Sequence, residues 1–288
     1  MRRPLLSIGL VLLLAAGCAP RQDAGTPTAE IPERIVSLSP ALTEIVFALG
    51  RGDRLAGVTD FCDFPPEARE LPKMGGFSNP SLETVLDAGP DLVLISKNAG
   101  NQRPGLAMID AGLNVLVVPS ATFDDTFVAI RTVGEAIGAD PAPLIADLES
   151  RLESVRAGLP ENGRPRVAFL VSLEPLILAG PDTLPGQALA HAGGRAAFDL
   201  NGYPRIGLES LIEAEPDAIL FASMDPKDAD ESERVAQWFA RWPSLRTDEP
   251  GRLQVFDASR ILRPGPRLAE GVEDLAARLA TLASEPTS

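Results

Sequence analysis

The chain has 288 residues and a formal net charge of −14 at pH 7. An acidic surface repels phosphate backbones and anionic lipid, which argues against nucleic acid as a partner. With 45% hydrophobic residues it can bury one large core or two smaller ones, and its single histidine and two cysteines leave too few soft ligands for a zinc carrier.

Residues 1–17 read as a secretory leader. Arg2 and Arg3 precede a mostly apolar run from Leu5 to Leu14, and Ala15-Ala16-Gly17 supplies small residues before Cys18. A cysteine at that place resembles a bacterial lipobox, with Cys18 as the lipidated first residue of the mature chain; the alternative is an ordinary signal peptide and a chance cysteine. Residues 18–32 form a polar, proline-containing tether. A lipid would attach the protein to a membrane without spanning it.

Apolar, β-type runs then alternate with helical stretches. RIVSL (34–38), LAGVT (55–59), DLVLIS (91–96) and NVLVVP (114–119) fall in the first half, and RVAFLVS (166–172), DAILFAS (217–223) and LQVFDA (253–258) in the second. Such runs, interleaved with helices, read as buried parallel strands of α/β units. The boundaries drawn are a first lobe over 33–122, a helical connector over 123–162 and a second lobe over 163–288. Within the connector Leu144, Leu148, Leu152 and Val155 recur at helical spacing, which predicts one linking helix of about seventeen residues, stopped by Gly158 and Pro160.

One unit occurs twice. Residues 81–95 read SLETVLDAGPDLVLI and residues 207–221 read GLESLIEAEPDAILF, at a constant offset of 126. Each is a helix ended before a proline, since proline disfavours helix in the preceding residue, and followed at once by a strand. Asn79 and Pro80 are the expected N-cap and first helical residue of the earlier copy, placing Glu83 in the first turn, and Glu209 matches it. A carboxylate there suits the helix dipole, so a structural role competes with a functional one.

Little points to catalysis. The chain lacks a phosphate-binding Gly-Lys-Thr/Ser loop, a G-x-S-x-G elbow and an H-E-x-x-H pair. His191 is a lone helical histidine, the acidic run 224–234 lacks EF-hand spacing, and Cys62 reads as a small buried hydrophobe. Trp238 and Trp242, four apart, read as one packed helix face.

RIVSLSPALTEIVFALG (34–50), GVTDFCDFPPEA (57–68), MGGFSNPSLETVLDAGPDLVL (74–94) and the Arg-Pro-Gly-Pro-Arg segment (263–267) resemble, in order, the periplasmic binding proteins with a helical backbone. These deliver cobalamin, iron–siderophores or haem to ABC importers, and the cobalamin-binding members are the most similar. The resemblance implies two Rossmann-like α/β lobes with parallel sheets, joined by one long backbone helix. Cargo would lie between the lobes of an extracytoplasmic, lipid-anchored monomer without an intrinsic cofactor. Its partner would be an ABC permease dimer with its ATPase subunits, and Glu83 and Glu209 would dock on permease arginines.

By family position, Ser39, Pro40, Phe61, Phe77, Lys97, Asn98, Tyr203, Arg205 and Arg263 line the cleft. The cobalamin-binding members carry tryptophan where this chain has Phe77, Ser96 and Tyr203, so this cleft is less aromatic. Haem would use Tyr203 as an axial oxygen ligand, and an anionic siderophore would use Arg205 and Arg263. The alternative of another class is a lipid-anchored hydrolase working in the cleft.

Overall fold

The computed structural model describes residues 30–97, 102–160, 163–223 and 229–283. The leader, Cys18 and Asn98 lie outside them. The first half contains β1 (Ile35–Ser37), α1 (Pro40–Ala48), β2 (Leu55–Val58), α2 (Leu82–Asp87), β3 (Leu92–Lys97), α3 (Gln102–Asp110) and β4 (Val115–Pro119). Its strands form a parallel sheet in the order β2-β1-β3-β4. Two helices follow, α4 (Phe123–Ala136) and α5 (Ala142–Ala157). The second half contains β5 (Arg166–Leu173), β6 (Leu176–Leu178), α6 (Leu184–His191), β7 (Arg195–Ala196), α7 (Leu208–Glu213), β8 (Ala218–Ser223), α8 (Ala229–Ala240), β9 (Leu253–Asp257) and α9 (Leu268–Ala283). Its sheet runs β6-β5-β8-β9, with β7 also on β5, and only β6 is antiparallel.

The period-two alternation of the strands feeds separate cores on opposite sheet faces. Ile35, Leu92 and Leu94 enter one core of the first lobe, while Val36 and Val93 enter another. In the second lobe Val167 and Phe169 point one way, and Ala168 and Leu170 the other. Both faces of each sheet are covered, which is why these strands read as unbroken apolar runs. The seven strands expected from those runs are present. The two unforeseen strands, β6 and β7, span three residues and two, too few for a periodic signal.

The connector differs from the single helix expected. It comprises α4 as well as α5, separated by a turn through Gly138 (φ +66°) and Pro141. Helix α4 buries Ala129, Ile130 and Val133 in the first lobe, while Phe123 at its start enters a core of the second. Helix α5, about 24 Å long by helical rise, passes from Ile145 and Leu148 in the first lobe to Val155 in the second, and Leu152 touches both cores. Helix α9 packs along α5, and Arg151 donates to both carboxylate oxygens of Glu273 at 2.8 and 2.6 Å. Three helices thus brace the seam.

The repeat is reproduced in detail. Helices α2 and α7 each have six residues, bury Val85 and Leu211 respectively, and lead into β3 and β8 of six residues each. The shared Pro-Asp pair has a structural explanation. Asp91 accepts from the backbone N–H of Arg34 at 2.9 Å, and Asp217, 126 residues on, accepts from that of Arg166 at 2.6 Å. In return the N–H of each aspartate donates to the carbonyl of the same arginine, at 2.8 Å. Each clamp ties the start of a central strand to its neighbour. The cap of α2 is Ser81, whose hydroxyl accepts from the Thr84 N–H at 3.2 Å, so the helix begins two residues later than Asn79 and Pro80 suggested.

The two copies differ at one strained position. Gly89 ends its helix with φ +57°, whereas the matching Glu215 takes φ +43°, a left-handed conformation that crowds a Cβ. Glu215→Gly is therefore expected to leave stability unchanged or raise it by up to about 1 kcal/mol, and Gly89→Ala to lower it by about 1 kcal/mol or more. Urea denaturation of both variants checks the pair.

Candidate functional site

In an open parallel sheet, the crevice lies beyond the strand carboxyl ends where the strand order reverses. In the first lobe that point falls between β1 and β3, which lead in opposite directions to β2 and β4. Ser39 and Ser96 meet there: the Ser96 hydroxyl donates to Ser39 Oγ at 2.7 Å, and both residues are buried. Ser39 is the extended N-cap of α1, Pro40 supplies its first turn, and Thr43 Oγ1 donates back to the Ser39 carbonyl at 3.1 Å. The floor of the crevice is a satisfied network of small hydroxyls.

A carboxylate buried within α1 joins the lobes. Glu44 interrupts an otherwise apolar helix, PALTEIVFA, and its side chain is only 2% exposed. Arg267, from the segment before α9, donates to both of its oxygens at 2.9 and 2.7 Å, and Arg263 adds a contact at 3.3 Å. Arg263 also donates to Asp63 at 2.6 Å, and the Arg267 guanidinium lies 4.2 Å from the centre of the Phe64 ring. Asp63 and Phe64 follow β2, while both arginines follow β9, so the carboxyl ends of the two sheets meet across this cluster. Burial pushes the Glu44 carboxyl above its ordinary value, opposed by the hydrogen bonds and charges of Arg267 and Arg263. At Asp63 burial acts in the same upward direction, but the Arg263 hydrogen bond and charge prevail and hold the carboxyl below its usual value.

Arg263, expected on the cleft wall, has a side chain that is 10% exposed and bound to Glu44 and Asp63. Arg205 is exposed and has no side-chain partner among the described residues, so of the two arginines it is the one open to an anion. Lys97 is exposed at the end of β3.

The aromatic candidates are accessible to different degrees. Phe61 is 57% exposed, and its ring lies over Gly76, where an added Cβ would sit 3.8 Å from Cε2. The Asp60 N–H donates to the Gly75 carbonyl at 3.0 Å, which brings the loop after β2 beside the Gly-Gly-Phe77 segment. Phe77 is half-buried. Tyr203 is 53% exposed in a segment fastened to β6 through Leu178 N–H to Pro204 O and Ile206 N–H to Leu176 O, both 3.1 Å. Partial desolvation and the Asp182 carboxylate raise its phenol pKa, against a hydrogen bond with Thr183.

Glu83 and Glu209 are both exposed, in the first turns of α2 and α7. Cys62 is buried between the hydroxyls of Thr43 and Thr59 at 3.2 and 3.1 Å. His191 stacks on Phe123 at 4.0 Å between ring centres, and the Trp238 and Trp242 rings lie 6.4 Å apart on the outer core of the second lobe. The cluster missed from sequence is Glu44, Asp63 and Arg267. Its legible signal was a lone carboxylate on the buried face of α1, with two arginines flanking Pro-Gly-Pro.

Removing the buried carboxylate would strand the two arginines that it holds. Glu44→Ala is expected to cost about 3–5 kcal/mol, read by urea denaturation. Acid should act on the rim of the seam. Glu273, held below its ordinary 4.5 by the Arg151 hydrogen bond, and Asp63, held below 3.8, contribute stability that is present above those values. It is lost as pH falls through their lower folded-state pKa values, because the unfolded chain then binds more protons. Glu44, shifted upward, has the opposite sign. The share of stability held by Glu273 and Asp63 should thus fall away below about pH 4.5, and Glu273→Gln should change the difference in stability between pH 7 and pH 3.5 by about 1 kcal/mol or less, measured by urea denaturation at both.

Residues 35–246 match the family described as periplasmic binding protein. Among curated proteins, the uncharacterized ABC transporter substrate-binding lipoprotein YvrC of Bacillus subtilis is 32% identical over 256 residues, 85% of this chain and 79% of that one. The fold is similar to that of the periplasmic vitamin B12 binding protein of Vibrio cholerae, with TM-score 0.73 and 25% identity over 88% of this chain and 99% of that one. It is similar also to the periplasmic heme-binding protein RhuT from Roseiflexus sp. RS-1, with TM-score 0.77 and 29% identity over the same shares, 88% and 99%. With two α/β lobes whose strand ends meet at a braced seam, the chain belongs to the periplasmic binding protein family.

Proposed function

We propose that the protein is the substrate-binding component of an ABC importer and that it carries cobalamin or a related corrinoid between its lobes. The observation that carries this reading is the exposure of two flat side chains, Phe61 and Tyr203, one from each half of the chain. Macrocycles need broad apolar walls and a few polar anchors, and Lys97 and Arg205 supply exposed cations for peripheral groups. Ser39 and Pro40 would border the same crevice, and half-buried Phe77 follows Gly76, beside the Phe61 ring. Delivery rests on Glu83 and Glu209, exposed at matching positions of duplicated units. Two such carboxylates suit a two-fold permease, and exposed ion pairs of this kind set orientation and encounter rate more than affinity. Cys18 would hold the protein at the extracytoplasmic face of a membrane; among the described residues no helix is long and apolar enough to cross one.

Haem or a ferric siderophore is the second reading. The open guanidinium of Arg205 favours it, since anionic groups of such ligands would pair there. Tyr203, 53% exposed, would offer its phenol oxygen to haem iron.

Purified protein mixed with micromolar cyanocobalamin should co-elute with the red chromophore. No retention, with haemin retained in parallel, would replace the first reading by the second. Combining Glu83→Ala with Glu209→Ala should leave ligand affinity within about twofold and lower uptake in reconstituted vesicles about tenfold, as expected where paired charges govern docking. Lost ligand binding in that double variant would sink this division of roles.

A further inference from the structure

The loop that carries Phe61 is anchored from two sides. Within its own lobe, the Asp60 N–H donates to Gly75 O at 3.0 Å, the Cys62 thiol is buried between Thr43 and Thr59, and Arg69 donates to the Asp63 carbonyl at 3.0 Å. The outward side chains are held from the other lobe. Arg263 reaches Asp63 at 2.6 Å and the Phe61 carbonyl at 3.4 Å, and Arg267 covers the Phe64 ring.

We propose that Asp63 is a positioning residue for cargo: by gripping Arg263 across the seam it fixes the loop after β2, and with it the Phe61 ring, so that the second lobe sets a ligand wall of the first. The ligand part of this inference rests on the reading that Phe61 touches cargo. Two features separate this pair from simple structural bracing. The Asp63 side chain is 48% exposed, and an ion pair so open to water adds little to global stability. Arg263 also retains Glu44 as a partner, at 3.3 Å, so losing Asp63 strands no buried charge. What Asp63 controls is local: a two-residue lever beside an exposed aromatic side chain whose rigidity decides how much ordering a ligand must impose.

The test uses the whole protein made with 4-fluorophenylalanine, the Phe61 resonance being identified by its loss in Phe61→Leu. Asp63→Ala should shift or broaden that resonance while the unfolding midpoint moves by only a few degrees. Asp63→Asn, which keeps an acceptor oxygen, should lie between. An unchanged Phe61 resonance in Asp63→Ala overturns the proposal. Affinity for cyanocobalamin and for haemin gives the second readout. Phe61→Ala and Asp63→Ala should each weaken the bound probe about three- to tenfold, and the double variant should be no weaker than Phe61→Ala alone; additive losses would mean that Asp63 acts apart from Phe61, and would also overturn it. If Phe61→Ala leaves both affinities unchanged, the cargo role of Phe61 falls on its own account, and the fluorine resonance still decides whether Asp63 sets the ring.

Discussion

A carboxylate taken out of water must be matched there or lose its charge, and this protein has placed one at its centre. Glu44 lies among the aliphatic residues of α1, and its only hydrogen-bonding partners among the described residues are Arg263 and Arg267 of the other lobe. The cost of burying three ionic groups is offset by a bidentate pair, a shared oxygen and a stacked ring. Such a cluster has few alternative geometries, so it fixes the angle between the lobes more sharply than apolar packing would. The apolar contacts of α4, α5 and α9 then act on an arrangement already specified.

The two halves use the same local devices. Asp91 and Asp217 tie central strands to their neighbours in the same way, and six-residue helices with exposed first-turn glutamates precede them. The carboxylates that repeat therefore divide into two kinds. The aspartates carry structure. The glutamates are exposed in the first turns of their helices, where a carboxylate suits the helix dipole. The halves differ beyond their strand ends: paired serines lie there in the first lobe, while the second has Tyr203 in a segment fastened to an added antiparallel strand.

Much of the fold could be read from the chain because its information is local. Buried strands advertise themselves as apolar runs, and Pro90 and Pro216 mark where helix yields to strand. The spacing of Leu148, Leu152 and Val155 foretold the helix that crosses the seam. The helix before it went unrecognised as a separate brace, since only tertiary packing sends Phe123 to one lobe and Ile130 to the other. The site was less legible for the same reason. Phe61 and Tyr203 were named as candidates by family position, and both are exposed. Arg263 was named by its match to a family position, and nothing local reveals that it also pairs with Glu44, over two hundred residues earlier. An ion pair between distant segments has no period and no motif; its one trace is a charged residue on an apolar helix face.

That separation shapes how the molecule can assemble. Glu44 meets Arg263 and Arg267 across 219 and 223 residues of chain, and α9, the last helix, lends Ala269 to the core of the first lobe. The earliest-made lobe thus cannot settle its central charge until nearly the whole polypeptide is available. A shortened chain would keep an unmatched anion beneath α1 and remain soft, and loop closure over such a span makes the final docking slow. The seam can therefore close only after synthesis has passed Arg267 and Ala269.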